Sequence, residues 1–144
     1  MTIYLVDEDH AAYGAWIAEL ELRGHKVTSI ASAADAFREL CRVPAEQIGV
    51  VLIDVMLAPG EDWHLYPQDF LTTGLELLRS LSQQKSGAFS RRAILLTNAV
   101  GSMLEEAITY GETVGAEVWD KRSIVSPVHF ADAVEEFGSS RGIT

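Results

Sequence analysis

The chain has 144 residues, 48% of them hydrophobic, and a formal net charge of −10. This length and apolar content are typical of one folded domain with a buried core, and they exclude a disordered segment. The negative charge argues against direct binding to nucleic acid or to an anionic membrane, since such proteins usually present a basic surface. No apolar run approaches the roughly 20 residues of a membrane-spanning helix, and no signal peptide is recognisable. We therefore expect a single cytoplasmic domain over residues 1–144, and the lone Cys41 suits a reducing compartment.

Strand and helix signals alternate along the chain. The predicted strands are residues 3–6, 26–30, 48–53, 93–96 and 117–120. Apolar residues at helical spacing follow each strand. Gly24 is a stop signal for the first helix, and Ser32, Ser102 and Ser126 are predicted caps of later helices. Five strands alternating with five helices predict an α/β fold, a doubly wound parallel sheet with right-handed crossovers.

An extended loop at about residues 58–73 interrupts this alternation of strands and helices. It contains two prolines, Pro59 and Pro67, and several aromatic and acidic residues. A loop of this length in a compact domain is usually functional or mobile. The alternative is a decorated turn without a role, and the sequence leaves both interpretations open.

Polar residues suited to phosphoryl chemistry stand at four strand ends. They are Asp7-Glu8-Asp9, Asp54, Thr97 and Asp120-Lys121. Parallel strands bring their carboxyl ends to one edge of a sheet, so we expect these side chains to meet there. Taken singly, each has a simpler interpretation, because a strand-terminal Asp or Thr is often a helix cap and a lone Lys is usually solvated. Their coincidence at four strand ends of one short chain favours a site.

Asp54 is the residue in this set best placed to be a nucleophile. It follows a buried strand, and we expect its side chain to be exposed at the sheet edge. A carboxylate can attack a phosphoryl group and form an acyl phosphate. Mg²⁺ would offset the charge of the neighbouring acids, because it prefers carboxylate, carbonyl and phosphate oxygens. Lys121 would then contact the phosphoryl oxygens, and Thr97 would donate a hydrogen bond from its hydroxyl.

Segments at these strand ends resemble the signature segments of response regulator receiver domains. They are Tyr4-Leu5-Val6-Asp7-Glu8-Asp9, Leu52-Ile53-Asp54-Val55-Met56-Leu57, Leu95-Leu96-Thr97-Asn98-Ala99 and Val118-Trp119-Asp120-Lys121, with Gly74 and Gly115 also matching. The resemblance implies a flavodoxin-like, receiver-type (βα)5 fold in two-component signalling. It implies that Asp54 accepts a phosphoryl group from a histidine kinase or phosphotransfer protein. It also implies that Asp7, Glu8 and Asp54 hold Mg²⁺ with the backbone carbonyl of Met56, that Thr97 is the switch hydroxyl, and that Lys121 binds the phosphate.

The departures from the family pattern include the second acid, the residue after Thr97 and the last strand. Glu8 stands where the family usually has Asp, and Asp9 could substitute for it. Asn98 replaces a small residue. Counting back from Lys121 places Val118 at the family's switch aromatic, whereas counting forward from Gly115 places Trp119 there and gives the lysine role to Arg122. We favour Lys121, because a deletion in a turn is easier to absorb than one in a strand.

Two other functions are compatible with parts of the pattern. Asp7-x-Asp9 after a strand, with Thr97 and a later Lys, also resembles haloacid-dehalogenase-type phosphatases, in which Asp7 would be the nucleophile. That reading leaves Asp54 unexplained. The other alternative is a binding module with the receiver fold that signals without phosphorylation.

We expect a signalling protein, not an enzyme, whose output passes through a partner. After the predicted last helix, few residues remain for an output domain. In receivers the partner surface is commonly formed by the fourth helix, fifth strand and fifth helix, and homodimers are possible. Phosphorylation would shift a two-state equilibrium, and the fluorescence of Trp119 should report it.

Overall fold

A computed structural model describes residues 1–57, 60, 73–85 and 87–143. In these residues five parallel strands form one sheet in the order β2-β1-β3-β4-β5. The strands are β1 (Thr2–Val6), β2 (Lys26–Ile30), β3 (Val50–Asp54), β4 (Ala93–Thr97) and β5 (Glu117–Asp120). The predicted α/β sheet is therefore confirmed. The third strand begins at Val50, two residues later than predicted, and it includes Asp54.

Helices connect the strands across both faces of the sheet. They are α1 (Gly14–Leu22), α2 (Ala33–Leu40), α3 (Thr73–Lys85), α4 (Gly87–Ser90), α5 (Ser102–Val114) and α6 (Pro127–Ser140). The five predicted helices are present, and α4 is an additional single turn before β4. One-turn 3₁₀ helices lie at His10–Tyr13, Ala45–Gln47 and Lys121–Ser123. The predicted fourth and fifth helices correspond to α5 and α6.

The sheet separates two hydrophobic cores. On the first face, residues of β3 such as Val51 and Ile53 pack against α2, α3 and α5. On the second face, Val50 and Leu52 pack against α1 and α6. All five residues of β3 are buried, as expected for a central strand covered on both sides. No helix in the described part of the chain is both long and apolar enough to cross a membrane.

Local signals explain several of the helix boundaries. Ser32 accepts a hydrogen bond from the backbone N–H of Asp35, and Ser126 accepts one from His129, so both predicted caps are confirmed. Gly24 has φ +91° just after α1, as a glycine stop requires. The prediction that Ser102 caps α5 is wrong, since Ser102 is the first residue inside that helix and Gly101 precedes it.

The predicted loop at about 58–73 lies almost entirely outside the described residues. Gly60 and Thr73 are the described exceptions. The two interpretations of the loop therefore stay predictions.

The start of α3 lies directly against the end of β3. The backbone N–H of Gly74 donates to the carbonyl of Val55 at 3.0 Å. A Cβ at Gly74 would lie 2.2 Å from the carbonyl oxygen of Asp54 and 2.8 Å from Cα of Val55. Only glycine permits this approach, so Gly74 fixes α3 behind the peptide that carries the Asp54 side chain.

Candidate functional site

The register of the sheet brings the four predicted strand ends together. Strands β1, β3, β4 and β5 are consecutive in space. Val6 pairs with Ile53, which places Asp7 beside Asp54. Leu96 pairs with Asp54, and Thr97 pairs with Asp120. The expectation that these polar residues share one edge of the sheet is met by the backbone alone.

The same type of local turn follows each of the four strand ends. In each case a side-chain oxygen accepts the backbone N–H two residues further on. The pairs are Asp7 Oδ1 with Asp9 at 2.8 Å, Asp54 Oδ1 with Met56 at 3.1 Å, Thr97 Oγ1 with Ala99 at 2.9 Å and Asp120 Oδ1 with Arg122 at 2.9 Å. These turns take one oxygen of each carboxylate. The second oxygen of Asp7 and of Asp54 is left to interact within the site.

Lys121 occupies the space between the two buried acids. Its Nζ lies 3.3 Å from Asp54 Oδ2 and 3.6 Å from Asp7 Oδ2. The Arg122 guanidinium instead forms a bidentate contact with the Asp120 carboxylate, from Nε to Oδ1 at 2.9 Å and from Nη2 to Oδ2 at 2.7 Å. The structure thus places Lys121, and not Arg122, at the acids, in agreement with the register that we favoured.

Asp54 is buried, so the prediction of an exposed side chain is wrong. Its relative exposure is only 8%, because it is the last residue of β3 and not the first residue of a loop. Burial raises the pKa of Asp54 to about 6, with Lys121 opposing the shift and the charge of Asp7 adding to it. The carboxylate is therefore held as a poorly solvated anion at neutral pH. Such a group gains from any cation that reaches it.

Asp7 adds a second buried carboxylate oxygen to the site. Its Oδ2 is buried and has no hydrogen-bond partner in the described residues. Mg²⁺ is commonly held by one or two carboxylates together with waters and substrate phosphates. Asp7 and Asp54 fit that requirement. Among the described residues, however, no group of three or more His, Cys, Asp or Glu side chains is arranged around one metal position.

The remaining residues of the predicted metal set differ from Asp7 and Asp54 in their exposure. Glu8 and Asp9 are exposed, and the backbone N–H of Asp9 is engaged by Asp7. Met56 is 43% exposed and donates its own N–H to Asp54. The structure does not bring Glu8 into the pair formed by Asp7 and Asp54. The metal roles of Glu8 and of the Met56 carbonyl stay predictions.

Thr97 and the two candidates for the switch position, Val118 and Trp119, lie in different surroundings. Thr97 is completely buried at the end of β4. Val118 faces the first core, next to Gly111 of α5, where a Cβ on that glycine would meet Val118 Cγ2 at 2.7 Å. Trp119 faces the second core and packs edge-on against Phe130 and Phe137, with ring centroids 6.3 and 6.4 Å apart. The two candidates for the switch position are thus on opposite faces of the sheet.

Tyr13 is a residue of the site that the sequence did not reveal. It ends the 3₁₀ turn before α1, and its ring centroid lies 5.7 Å from Lys121 Nζ. Burial, followed by the negative charges of Asp7 and Asp54, raises the pKa of Tyr13. No motif marks this position, because the turn that folds Tyr13 back over the site has no regular sequence pattern. A tyrosine six residues after a strand-terminal Asp was the only available signal.

No protein-family model matches the sequence, and no curated protein matches it. Solved structures do match over nearly the whole chain. A CheY-like response regulator receiver domain protein from Methanospirillum hungatei is 20% identical, with a TM-score of 0.72 over 98% of this chain and 95% of that one. A LuxR-family two-component response regulator from an Aurantimonas species is 24% identical, with a TM-score of 0.68 over 97% and 86%. The Vibrio cholerae chemotaxis protein CheY4 is 17% identical, with a TM-score of 0.65 over 94% and 97%.

The fold is therefore that of response regulator receiver domains. At these identities the comparison defines the architecture. The function depends on the side chains at the carboxyl edge of the sheet.

Proposed function

We propose that this protein is a phosphoacceptor receiver in two-component signalling and that Asp54 carries the phosphoryl group. The observation that supports this most strongly is the contact of Lys121 with the free oxygens of both Asp54 and Asp7. One ammonium shared by two buried carboxylates creates a place where a phosphoryl group can meet a nucleophile and a positive charge together. The receiver fold places that arrangement where open α/β sheets bind ligands.

The proposed reaction is a phosphoryl transfer to the Asp54 carboxylate. One carboxylate oxygen attacks phosphorus, and a new P–O bond forms as the donor's bond to phosphorus breaks. The donor is a phosphohistidine of a histidine kinase or phosphotransfer protein, whose leaving nitrogen keeps the electron pair and is then protonated. Lys121 neutralises part of the charge on the transferred group. The buried hydroxyl of Thr97 exchanges its contact with Ala99 for one to the phosphoryl group, and this exchange is the proposed switch.

Mg²⁺ is part of this proposal. Asp7 and Asp54 would hold it, since Asp7 Oδ2 is buried without a hydrogen-bond partner in the described residues. When bound, the cation supplies charge neutralisation between the acids and the incoming phosphoryl oxygens. The Met56 carbonyl and either Glu8 or Asp9, through water, would complete the set.

The output is proposed to pass to a protein partner at the surface formed by α5, β5 and α6. This surface carries exposed apolar side chains, with Ile108 on α5 at 39%, Val125 before α6 at 79% and Val128 on α6 at 52% exposure. Trp119 lies in β5 beneath α6 and hydrogen-bonds to Glu117 at 2.9 Å. A rearrangement at Lys121 two residues away should therefore change its fluorescence. A protein shown to bind a phosphoryl mimic but whose Trp119 emission stays constant would argue against this coupling.

Incubation with a small acyl phosphate and Mg²⁺, followed by intact-mass measurement, tests the proposal. We expect the wild type to gain one phosphoryl group, about 80 Da, and Asp54→Asn to gain none. Asp35→Asn is the control, because Asp35 pairs with Arg38 on the exposed surface of α2 and makes no contact with Asp7, Asp54 or Lys121 among the described residues. Steady release of phosphate that depends on Asp7 would instead identify a phosphatase. Neither modification nor turnover would identify a module that binds partners without phosphorylation.

A further inference from the structure

We propose that Tyr13 is a positioning residue for Lys121. Its ring holds the ammonium in the site while Lys121 moves from Asp54 toward an arriving phosphoryl group. This inference rests on the proposed function, and it concerns a residue that the receiver resemblance leaves without a role.

Among the described residues, three groups lie close to the Lys121 ammonium. Two are the carboxylate oxygens of Asp54 and Asp7, at 3.3 and 3.6 Å. The third is the ring of Tyr13, whose centroid is 5.7 Å from Nζ. This distance is within the range in which an aromatic face attracts a cation. The side chain of Lys121 as a whole is 21% exposed.

The ring is held in place by the second core. Tyr13 packs against that core together with Trp16, and Trp16 packs edge-on against Phe130 at 5.1 Å between centroids. Tyr13 also immediately precedes α1, so its backbone is fixed by the start of that helix. A ring anchored in this way can define a position for a flexible lysine chain.

A small cavity lies between Lys121 and this aromatic wall. Its volume is about 160 Å³, and it is lined by Ala12, Tyr13, Trp16, Lys121, Ile124 and Phe130. The cavity gives the lysine chain room to shift without displacing the core. Apart from Lys121, its walls are formed mainly by apolar and aromatic side chains, so the face of Tyr13 is the natural contact for the charge.

The chemistry explains why a ring is better suited than another acid. When a divalent cation binds the two carboxylates, it competes with Lys121 for their oxygens. A third carboxylate would retain the ammonium but would repel the phosphoryl group. The quadrupole of an aromatic face attracts the ammonium without a full negative charge. Tyr13 can therefore keep Lys121 near the reacting atoms throughout the exchange.

A double-mutant cycle separates this role from simple packing. The initial rate of phosphorylation by an acyl phosphate with Mg²⁺ is measured for Tyr13→Leu, Tyr13→Phe, Lys121→Ala and Tyr13→Leu/Lys121→Ala. We expect Tyr13→Leu to be about two- to five-fold slower than the wild type, as the loss of one partly exposed cation–π contact predicts. Tyr13→Phe keeps the ring and should react at close to the wild-type rate. In the Lys121→Ala background, Tyr13→Leu should have no further effect.

Several outcomes would overturn the proposal. An equal slowing by Tyr13→Leu in both backgrounds would mean that Tyr13 acts through packing and not through Lys121. A Tyr13→Phe variant as slow as Tyr13→Leu would assign the effect to the hydroxyl beside Asp7. Tyr110→Leu is the control for losing a half-buried tyrosine from the other core, and it should leave the rate unchanged.

A spectroscopic measurement keeps the inference separate from the proposed function. In the unphosphorylated protein, the ring of Tyr13 should shift the NMR signals of the Lys121 side-chain methylene protons nearest the ammonium upfield. We expect this shift in the wild type and in Tyr13→Phe, and its loss in Tyr13→Leu. Its absence from the wild type would refute the contact whether or not the protein is phosphorylated. A wild type that shows the shift but accepts no phosphoryl group would refute the proposed function instead.

Discussion

Two charge clusters in this molecule have opposite characters. The first, at the carboxyl ends of the strands, consists of Asp7, Asp54 and Lys121. The second, which we call the Arg23 cluster, joins the end of α1 to α6 and consists of Arg23, His25, Glu19, Asp132 and Glu135. Arg23 contacts its three acids at 2.6 to 3.0 Å, and His25 contacts Glu135 at 2.9 Å. The Lys121 contacts are longer, at 3.3 and 3.6 Å.

One carboxylate of each cluster has a shifted pKa, and the two shifts are in opposite directions. Hydrogen bonds from His25 and then Arg23 hold the pKa of Glu135 below its usual range. Burial raises the pKa of Asp54 to about 6 despite the presence of Lys121. The Arg23 cluster satisfies its charges and connects two helices. The acids at the strand ends are left under-satisfied, which is the state expected of a site prepared for a ligand.

The largest effect that we predict concerns the glycine behind the acid pair. Gly74→Ala should destabilise the protein by on the order of 3 kcal/mol, because its Cβ would lie 2.2 Å from the Asp54 carbonyl oxygen and α3 would have to move. Chemical denaturation measures the change. Gly14→Ala is the matched control, since a Cβ at Gly14 meets no atom within 4 Å. Equal stability of the two variants would show that α3 does not constrain the site.

The next prediction is that the acid pair costs stability. A group whose pKa is raised in the folded state contributes stability below its unfolded pKa and loses that contribution as the pH rises through the folded value. For Asp54 this loss falls between about pH 4 and about pH 6. Asp54→Asn should therefore stabilise the metal-free protein at pH 7.5, by on the order of 1–2 kcal/mol. Thermal unfolding should show that this gain shrinks toward zero near pH 4.

Removing a charge from the Arg23 cluster should destabilise the protein, whereas removing the charge of Asp54 should stabilise it. Arg23→Gln should lower the unfolding midpoint by a few degrees at most, because its partners lie near the surface and remain partly solvated. The loss should decrease in high salt. Arg38→Gln is the control, because Arg38 forms a single, more exposed pair with Asp35 and should have a smaller effect. If Arg23→Gln stabilised the protein, the charges of the Arg23 cluster would not be satisfied, and the contrast with the acids at the strand ends would be wrong.

The smallest predicted effect is the pH dependence of the stability that Glu135 contributes. Its pKa is depressed in the folded state, so the stability that it contributes is present above its unfolded pKa and is lost as the pH falls through the folded value. Glu135→Gln should be slightly less stable than the wild type at pH 7, and the difference should vanish in acid. The two carboxylates would then show opposite pH profiles in the same series of thermal unfolding measurements.

The elements of the fold were largely predictable, because they depend on local patterns. Four short apolar runs and the segment 26–30 marked the five strands, and Ser32 and Ser126 marked the starts of two helices. The cap at Ser102 failed because Gly101 already turns the chain at φ +63° and the helix begins one residue earlier than a serine cap requires. The one-turn helix Gly87–Ser90 was missed, since four residues are too few for a periodic signal.

Which residues belong to the candidate site was easier to predict than how those residues are arranged. Alternating strands and helices with polar residues at the strand ends were enough to expect Asp7, Asp54, Thr97 and Lys121 at one edge, because parallel strands align their carboxyl ends. Three facts required the tertiary structure. Asp54 is buried at the end of its strand, Lys121 and not Arg122 reaches the acids, and the ring of Tyr13 lies over the Lys121 ammonium. Each depends on contacts between residues distant in sequence, and the solvation and charge of a site are set by such contacts.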